Sequence, residues 1–453
     1  VTTDLLESLA QRGLRKVKVG GFDVDGLLRG KFIHPDKLPG ALGKGFGFCD
    51  VIFGWDITDA LYDNATVTGW HSGYPDALAR VDPSTLRVLP QEPDTAHFLV
   101  DFYTPDGKPH PACPRNLLKR LIARAEASGY RPKFGAEFEF WVFRETPQTL
   151  EQKSYAGLDP LSPGMFGYSL VRAGQHGEFV HDMLDTLTAY GIPLEGLHTE
   201  TGPGVWEACI PYDDALPAAD KAALLKTTLK LVAARHGLAI TFMAKWNAAL
   251  PGSSGHLHQS LWDGTGETNL FGDPKGLYGL STLAQQYLAG VVDTGPELTA
   301  LYAPFVNSYK RYVPGVWAPM TAGWGFENRT SMVRVIGGGG AAGSVSATRL
   351  ELRQTGADIN PYIAMATSLG AGLHGIEQGL TLPPETRGDA SSQGRPVPPT
   401  LEHAVDALRG SERAKQILGE AFVDHYVRTR DWEAREYRKA VSQWELRRYF
   451  EAV

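Results

Sequence analysis

Residues 133–143, KFGAEFEFWVF, decide how the rest of the chain is read. In an extended strand successive side chains point to opposite faces. Phe134, Phe138, Phe140 and Val142 therefore share one face and Glu137 and Glu139 the other, with Phe138 opposite both acids. A strand whose apolar face is this aromatic belongs on a core, and its two carboxylates then stand side by side on the far surface. Taken alone, the pair also suits a half-exposed strand with solvated acids.

Two distant segments repeat the pattern. In residues 253–262, SSGHLHQSLW, His256, His258 and Ser260 alternate with Leu257 and Leu261; in residues 347–354, ATRLELRQ, Arg349, Glu351 and Arg353 alternate with Leu350 and Leu352. Three strands thus each present an ionic face backed by an apolar one. Carboxylates with imidazole suit Mg²⁺ or Mn²⁺, and guanidiniums suit phosphate and carboxylate anions. Residues 200–207, ETGPGVWE, add Glu200 and Glu207 around a Gly-Pro-Gly turn, and residues 327–335, ENRTSMVRV, add Arg329 and Arg334.

Outward from this centre, residues 15–33, RKVKVGGFDVDGLLRGKFI, read as a hairpin turning at Asp25-Gly26. The prolines of HPACPR (110–115) separate that β-rich region from LLKRLIARAEASG (117–129), a helix stopped by glycine. This predicts an α+β chain with a small N-terminal domain over 1–110 and a larger domain over 111–453. In the latter, FVHDMLDTLTAYG (179–191) and a long segment from Ala218 to His236 are helical, and HTETGPGVWEACI and LAITFMAKW are strands. Residues 384–399 read as an exposed loop, and the charged segment 421–453 as a helix with a solvated face. No internal repeat is present.

The 453 residues are 43% hydrophobic, enough to bury a sizeable core, and the net charge of −7 gives no basic field for nucleic acid. Three cysteines without a CxxC pair suggest neither a disulfide framework nor a thiolate zinc site, and fit a reducing cytoplasm. No stretch approaches the ~18 apolar residues of a membrane span, and the N-terminus opens with charged residues in place of an apolar leader. No GxxxxGK[ST] loop occurs. The glycines at 337–340 lack a following lysine or helix start and read as a flexible loop. Phosphate must then be held by metals and arginines. No local motif suggests a Ser-His-Asp or Cys-His arrangement.

Taken in order, GAEFEF, ETGPGVWE, TFMAK, PGSSGHLHQSL, NSYKRYVPG, ENRTSMVRV, RLELR and ADINPYIA resemble the glutamine synthetase superfamily, and VGGFDVDGLLRGKFI resembles its β-grasp domain. The similarity covers nearly the whole chain. It implies an N-terminal β-grasp domain, a catalytic domain binding ATP and two or three Mg²⁺ or Mn²⁺ ions, and rings of six subunits stacked to twelve. One ion site resembles Glu139, Glu200 and Glu207, and a second Glu137, His256 and Glu351. Arg311, Arg353 and Gly252 match contacts to the substrate amino acid; His258, Arg329 and Arg334 match phosphate contacts and Ser260 an adenine-side contact. The implied reaction moves the γ-phosphoryl of ATP to the γ-carboxylate of glutamate, after which an amine displaces phosphate.

Departures from the family narrow the amine. Where glutamine synthetases place an aromatic residue and a glutamate after VPG, this chain has Val316 and Trp317. An acid that suits ammonium is replaced by an indole that suits an organic amine. FCDVIFGWD (48–56) makes Asp50 the candidate proton acceptor, contributed to a neighbour's site, with Val51 and Ile52 in place of serines. Trp206 and Trp246 are large where family residues are smaller or polar. The set resembles the γ-glutamylamide branch, which joins glutamate to polyamines, ethanolamine or anilines. Leu380 and Thr381 stand where a regulatory adenylylated tyrosine would, so that control is not expected. The alternatives are a glutamine synthetase using ammonium and a non-catalytic structural or sensing relative.

Overall fold

A computed structural model describes residues 2–337 and 344–453. Glycines 338–340, three of the four read as a flexible loop, lie outside the described residues. The N-terminal region forms a five-stranded sheet from β1 (Lys16–Phe22), β2 (Leu28–Ile33), β3 (Phe46–Cys49), β4 (Asp76–Val81) and β5 (Thr95–Tyr103), in the order β2-β1-β5-β4-β3. β1 and β2 form the expected hairpin, with Gly26 at φ +80° in its turn. β1 lies parallel to β5, an arrangement of the β-grasp type.

The second sheet contains eight strands among the described residues. They are β6 (Tyr130–Phe143), β7 (Gly196–Thr199), β8 (Val205–Asp214), β9 (Ala239–Thr241), β10 (Leu257–Asp263), and, after the short β11 (Thr321–Ala322), β12 (Trp324–Phe326), β13 (Val333–Ile336) and β14 (Arg349–Leu352). The order is β12-β13-β14-β10-β6-β8-β7, with β9 also paired to β6. β15 (Arg395–Pro396) pairs with β11.

One face of this sheet buries Phe134, Phe138, Phe140, Trp206, Leu257 and Leu350 in a core shared with residues of the helices Pro114–Ala127, Ala215–Arg235 and Pro361–Glu377. The last helix starts where its cap dictates. Asn360 accepts from the Tyr362 N–H, Pro361 needs no donor partner, and the Asn360 amide reaches back to the Asp23 carbonyl. That bond ties the start of this helix to the first hairpin. Trp206 is fully buried, whereas Trp246 is half-buried against Trp141 and Phe143.

Three expectations are corrected. The strand in LAITFMAKW ends at Thr241, because Asn307 clamps the Lys245 backbone from both sides, at 2.9 and 2.8 Å, and draws the chain off the sheet. The 384–399 loop is not wholly exposed: Thr386 and Ala390 are buried, and Thr386 donates to the Trp324 carbonyl at 2.7 Å. The helix Glu420–Lys439 is not merely a solvated charged helix, for His425 and Arg430 are buried and Arg430 pairs with Asp25 at 2.5 Å. No helix among the described residues is long and apolar enough to cross a membrane.

Candidate active site

The polar face of the second sheet gathers the ionic residues of its strands. Glu139 on β6 stands directly opposite Glu207 on β8, and His198 on β7 stands opposite Glu207 from the other side. His198 lies 3.4 Å from Glu207 through Nε2 and 3.6 Å from Glu200 through Nδ1. Burial, then the charges of Glu207 and Glu200, push the Glu139 carboxyl up to about 8, even though the Ser254 N–H donates to it at 2.7 Å. Three acids converge here; the Arg311 charge offsets part of their repulsion at Glu139, and the His198 imidazole is held above its ordinary value by its bond to Glu207.

A second group lies nearer the middle of the sheet. Glu137 accepts from His258 Nε2 at 2.8 Å and lies 3.4 Å from His256 Nδ1, which is 3.3 Å from Glu351. Burial raises the Glu137 carboxyl, but the imidazoles of His258 and His256 outweigh it and hold it well below the usual carboxylate range. Glu351 is held at about 2 because His256, Arg353 and His258 outweigh its burial. In strand register His258 and Arg334 flank Glu351 on either side. Arg334 donates to Glu351 at 3.0 Å and to Glu327 at 2.5 Å, and Arg353 also pairs with Glu351.

These residues fit hard divalent ions. Oxygen donors dominate, and a bound cation would relieve the repulsion that Glu207 and Glu200 exert on Glu139. His256 Nε2 is buried with no hydrogen-bond partner, a donor atom left for a ligand. One ligand atom each of Glu137, His258 and Glu351 also lies within 4.8 Å of the other two.

Arg311 is buried, and its guanidinium donates to the carbonyls of Gln354 at 3.0 Å and Arg353 at 2.8 Å. Gly252 abuts it. A Cβ there would come within 2.8 Å of both Arg311 Cγ and the Ala244 carbonyl, so no larger residue fits. Arg329 keeps an exposed side chain while its carbonyl accepts from Arg353 at 2.9 Å. Ser260 and His258 line a cavity of about 460 Å³ together with Lys133, Tyr212 and Trp262. Tyr212 and Trp262 stack 6.0 Å apart, Lys133 sits 4.1 Å over the indole, and Trp262 Nε1 donates to Ser260 at 2.9 Å.

Asp50 and Trp317 are carried by elements outside the second sheet. Asp50 lies in the turn after β3, buried, and accepts from Thr68 at 2.6 Å; burial raises its pKa. Trp317 is 67% exposed on the loop that follows Arg311. Sequence reasoning missed His198, although it precedes Glu200 by two positions and alternation alone places the two together. It also missed Tyr168, whose ring stacks on His198 at 4.5 Å from a left-handed backbone with φ +56°. No periodic signal marks Tyr168. The aromatic wall of the cavity was missed as well, because Tyr212 and Trp262 become neighbours only across strands.

A model of the glutamine synthetase catalytic domain matches residues 111–449. The chain is 44% identical over 443 residues to the type-1 glutamine synthetase 2 of Dictyostelium discoideum, covering 96% of this chain and 84% of that one. It is 37% identical over 450 residues to the glutamate–isopropylamine ligase of a Pseudomonas species, covering 98% and 97%. Among solved structures, a GmaS/ADP complex superposes with a TM-score of 0.86 at 30% identity, covering 99% of this chain and 100% of that one.

Proposed function

The chain belongs to the glutamine synthetase family and is a carboxylate–amine ligase, and from that premise we propose that it joins the γ-carboxyl of glutamate to an organic amine at the expense of ATP. One observation carries the choice of amine. The loop from Tyr312 to Met320 contains no acidic residue and displays the Trp317 indole.

In this reading Glu139, Glu200 and Glu207 hold one divalent ion and Glu137, His256 and Glu351 another. Bound Mg²⁺ or Mn²⁺ supplies positive charge against the transferring phosphoryl group. His258, Arg329 and Arg334 bind the phosphates, and Ser260 and the Trp262 wall of the cavity receive the adenine. Arg311, Arg353 and the bare backbone of Gly252 orient glutamate so that its γ-carboxylate meets the γ-phosphoryl group. The acyl phosphate so formed is attacked by the amine, and phosphate leaves. Trp317 lines the amine's approach and excludes water from its alkyl part.

Asp50 takes the amine proton from the site of a neighbouring copy within a ring. Mixing Asp50→Ala with Glu351→Ala subunits then restores part of the activity, and no recovery after verified subunit exchange counts against the shared site.

The test is phosphate release from ATP and glutamate across ammonium, alkylamines, ethanolamine, polyamines and anilines. An organic amine is expected to give the highest kcat/KM. The Dictyostelium relative, called a glutamine synthetase, favours the second reading: ammonium outperforming every organic amine would establish that one instead.

A further inference from the structure

Cys209 is a soft donor in the middle of a face otherwise built of hard ones. In strand register it stands opposite Glu137 on one side and Gly196 on the other. It is half-buried and lines the cavity that runs past His258 and Ser260, so an ion entering that cavity reaches it. A nitrogen of His198, an oxygen of Glu207 and the Cys209 sulfur all lie within 4.8 Å of one another. The same Glu207 oxygen is 3.4 Å from His198 Nε2 and 3.5 Å from Cys209 Sγ. Bonds of about 2.0–2.3 Å to a tetrahedral ion set ligand atoms roughly 3.3–3.8 Å apart. These spacings match that geometry with little movement.

We propose that His198, Glu207 and Cys209 form a second kind of metal site, one that takes a borderline-soft divalent ion of the Zn²⁺ class and thereby inhibits the enzyme. Thiolate and imidazole select such an ion, whereas Mg²⁺ takes oxygen ligands. Binding costs the Cys209 thiol its proton, which passes to solvent, and leaves a coordination position open to water. The softer ion takes the Glu207 Oε1 that His198 and Cys209 both face, and so competes with the hard ion for that acid. Occupation by the softer ion therefore withdraws one of the three acids assigned above to the hard ion. Only this inhibitory consequence rests on the proposed role of Glu207; the binding itself does not.

Cobalt(II) is the probe, because thiolate ligation gives it a near-ultraviolet charge-transfer absorption that oxygen and nitrogen ligands do not. The metal-stripped full-length protein titrated with Co²⁺ is expected to develop that band. The band should vanish in Cys209→Ala and persist in a Cys49→Ala/Cys113→Ala double variant. Cys209→Ser gives the same reading if the alanine variant fails to fold by circular dichroism. In calorimetry, His198→Gln should weaken Zn²⁺ binding by roughly tenfold or more. Cobalt binding without a sulfur band, or a band that survives Cys209→Ala, overturns the proposal. Failure of the ligase reading would appear separately, in the Mg²⁺-supported amine assay of the zinc-free wild type.

Discussion

Glu139 and Glu207 face each other in register on adjacent strands of the second sheet, and burial together with this neighbour lifts the Glu139 carboxyl to about 8. Like charges directly opposite on a sheet destabilise it, and the opposition is relieved when a cation lies between them. Glu139→Gln should therefore raise the metal-free melting temperature by ~1–3 °C, as expected for roughly 1 kcal/mol. It should also reduce the further rise that Mg²⁺ or Mn²⁺ gives the wild type, leaving only the part contributed by the second ion. Turnover should fall below about a tenth, a loss above ~1.4 kcal/mol. A variant that stays active and responds to metal as fully as the wild type would remove Glu139 from the ligand set.

Trp317→Glu tests the amine pocket. The substitution restores a carboxylate for ammonium and removes an indole of the kind that buries 150–250 Å². Each effect is worth roughly 1–3 kcal/mol, so the ratio of kcat/KM for ammonium to that for a bulky amine should rise tenfold or more. Because the ring is 67% exposed in the single chain, the substitution should leave the fold intact. Unchanged preference in the folded variant would show that Trp317 does not select the amine.

The pair between Asp25 and Arg430 joins the first hairpin to the helix Glu420–Lys439, and both side chains are 2% exposed. Arg430 also donates to the Pro304 carbonyl at 2.9 Å. Asp25→Ala strands a buried guanidinium and should cost about 3–5 kcal/mol, read from the denaturation midpoint. The Asp25→Leu/Arg430→Met double variant should recover most of that loss, since removing both charges leaves neither unpaired. A cost below about 1 kcal/mol for Asp25→Ala would show that water or another acid compensates.

Three imidazoles buried away from the site make stability depend on pH below about 6.5. Burial, aided by Lys18 and Arg87, lowers His97 to about 3; burial alone lowers His110 to about 4; burial and the nearby His110 and Arg430 lower His425 to about 3. Each stays neutral in the folded protein while its unfolded counterpart takes up a proton below about 6.5. Stability therefore declines as pH falls from about 6.5 toward 4, by up to about 1.4 kcal/mol per pH unit for each imidazole. His425 offers the cleanest test, because neither of its ring nitrogens has a hydrogen-bond partner. His425→Leu should flatten the dependence of melting temperature on pH, and an unchanged slope would show that His425 does not contribute to it.

Alternation made much of the site legible in advance. A period of two assigns Glu137 and Glu139, His256 and His258, and Glu351 and Arg353 to polar faces, because residue identity and strand geometry fix which side of the backbone each one leaves. The Asp25-Gly26 pair marked the first hairpin, and the order of the motifs then identified the family and its two-part α+β architecture. Misreadings fell where tertiary contacts override local character. Arg430 and His425 sit in a segment whose charge reads as solvated, yet both are buried, Arg430 in a pair with Asp25 of the first hairpin.

What the sequence determined by itself is the face of each strand; which strands become neighbours was decided only in three dimensions. Nothing within β6 or β8 specifies that Glu139 meets Glu207, that His198 completes the group, or that Cys209 falls opposite Glu137. Those pairings depend on sheet order and register, which are set by how the apolar faces pack on the helices beneath and by the turns that join the strands. Periodicity is a property of one segment, whereas coordination needs side chains from several segments held within a few ångströms, and only the packed sheet supplies that.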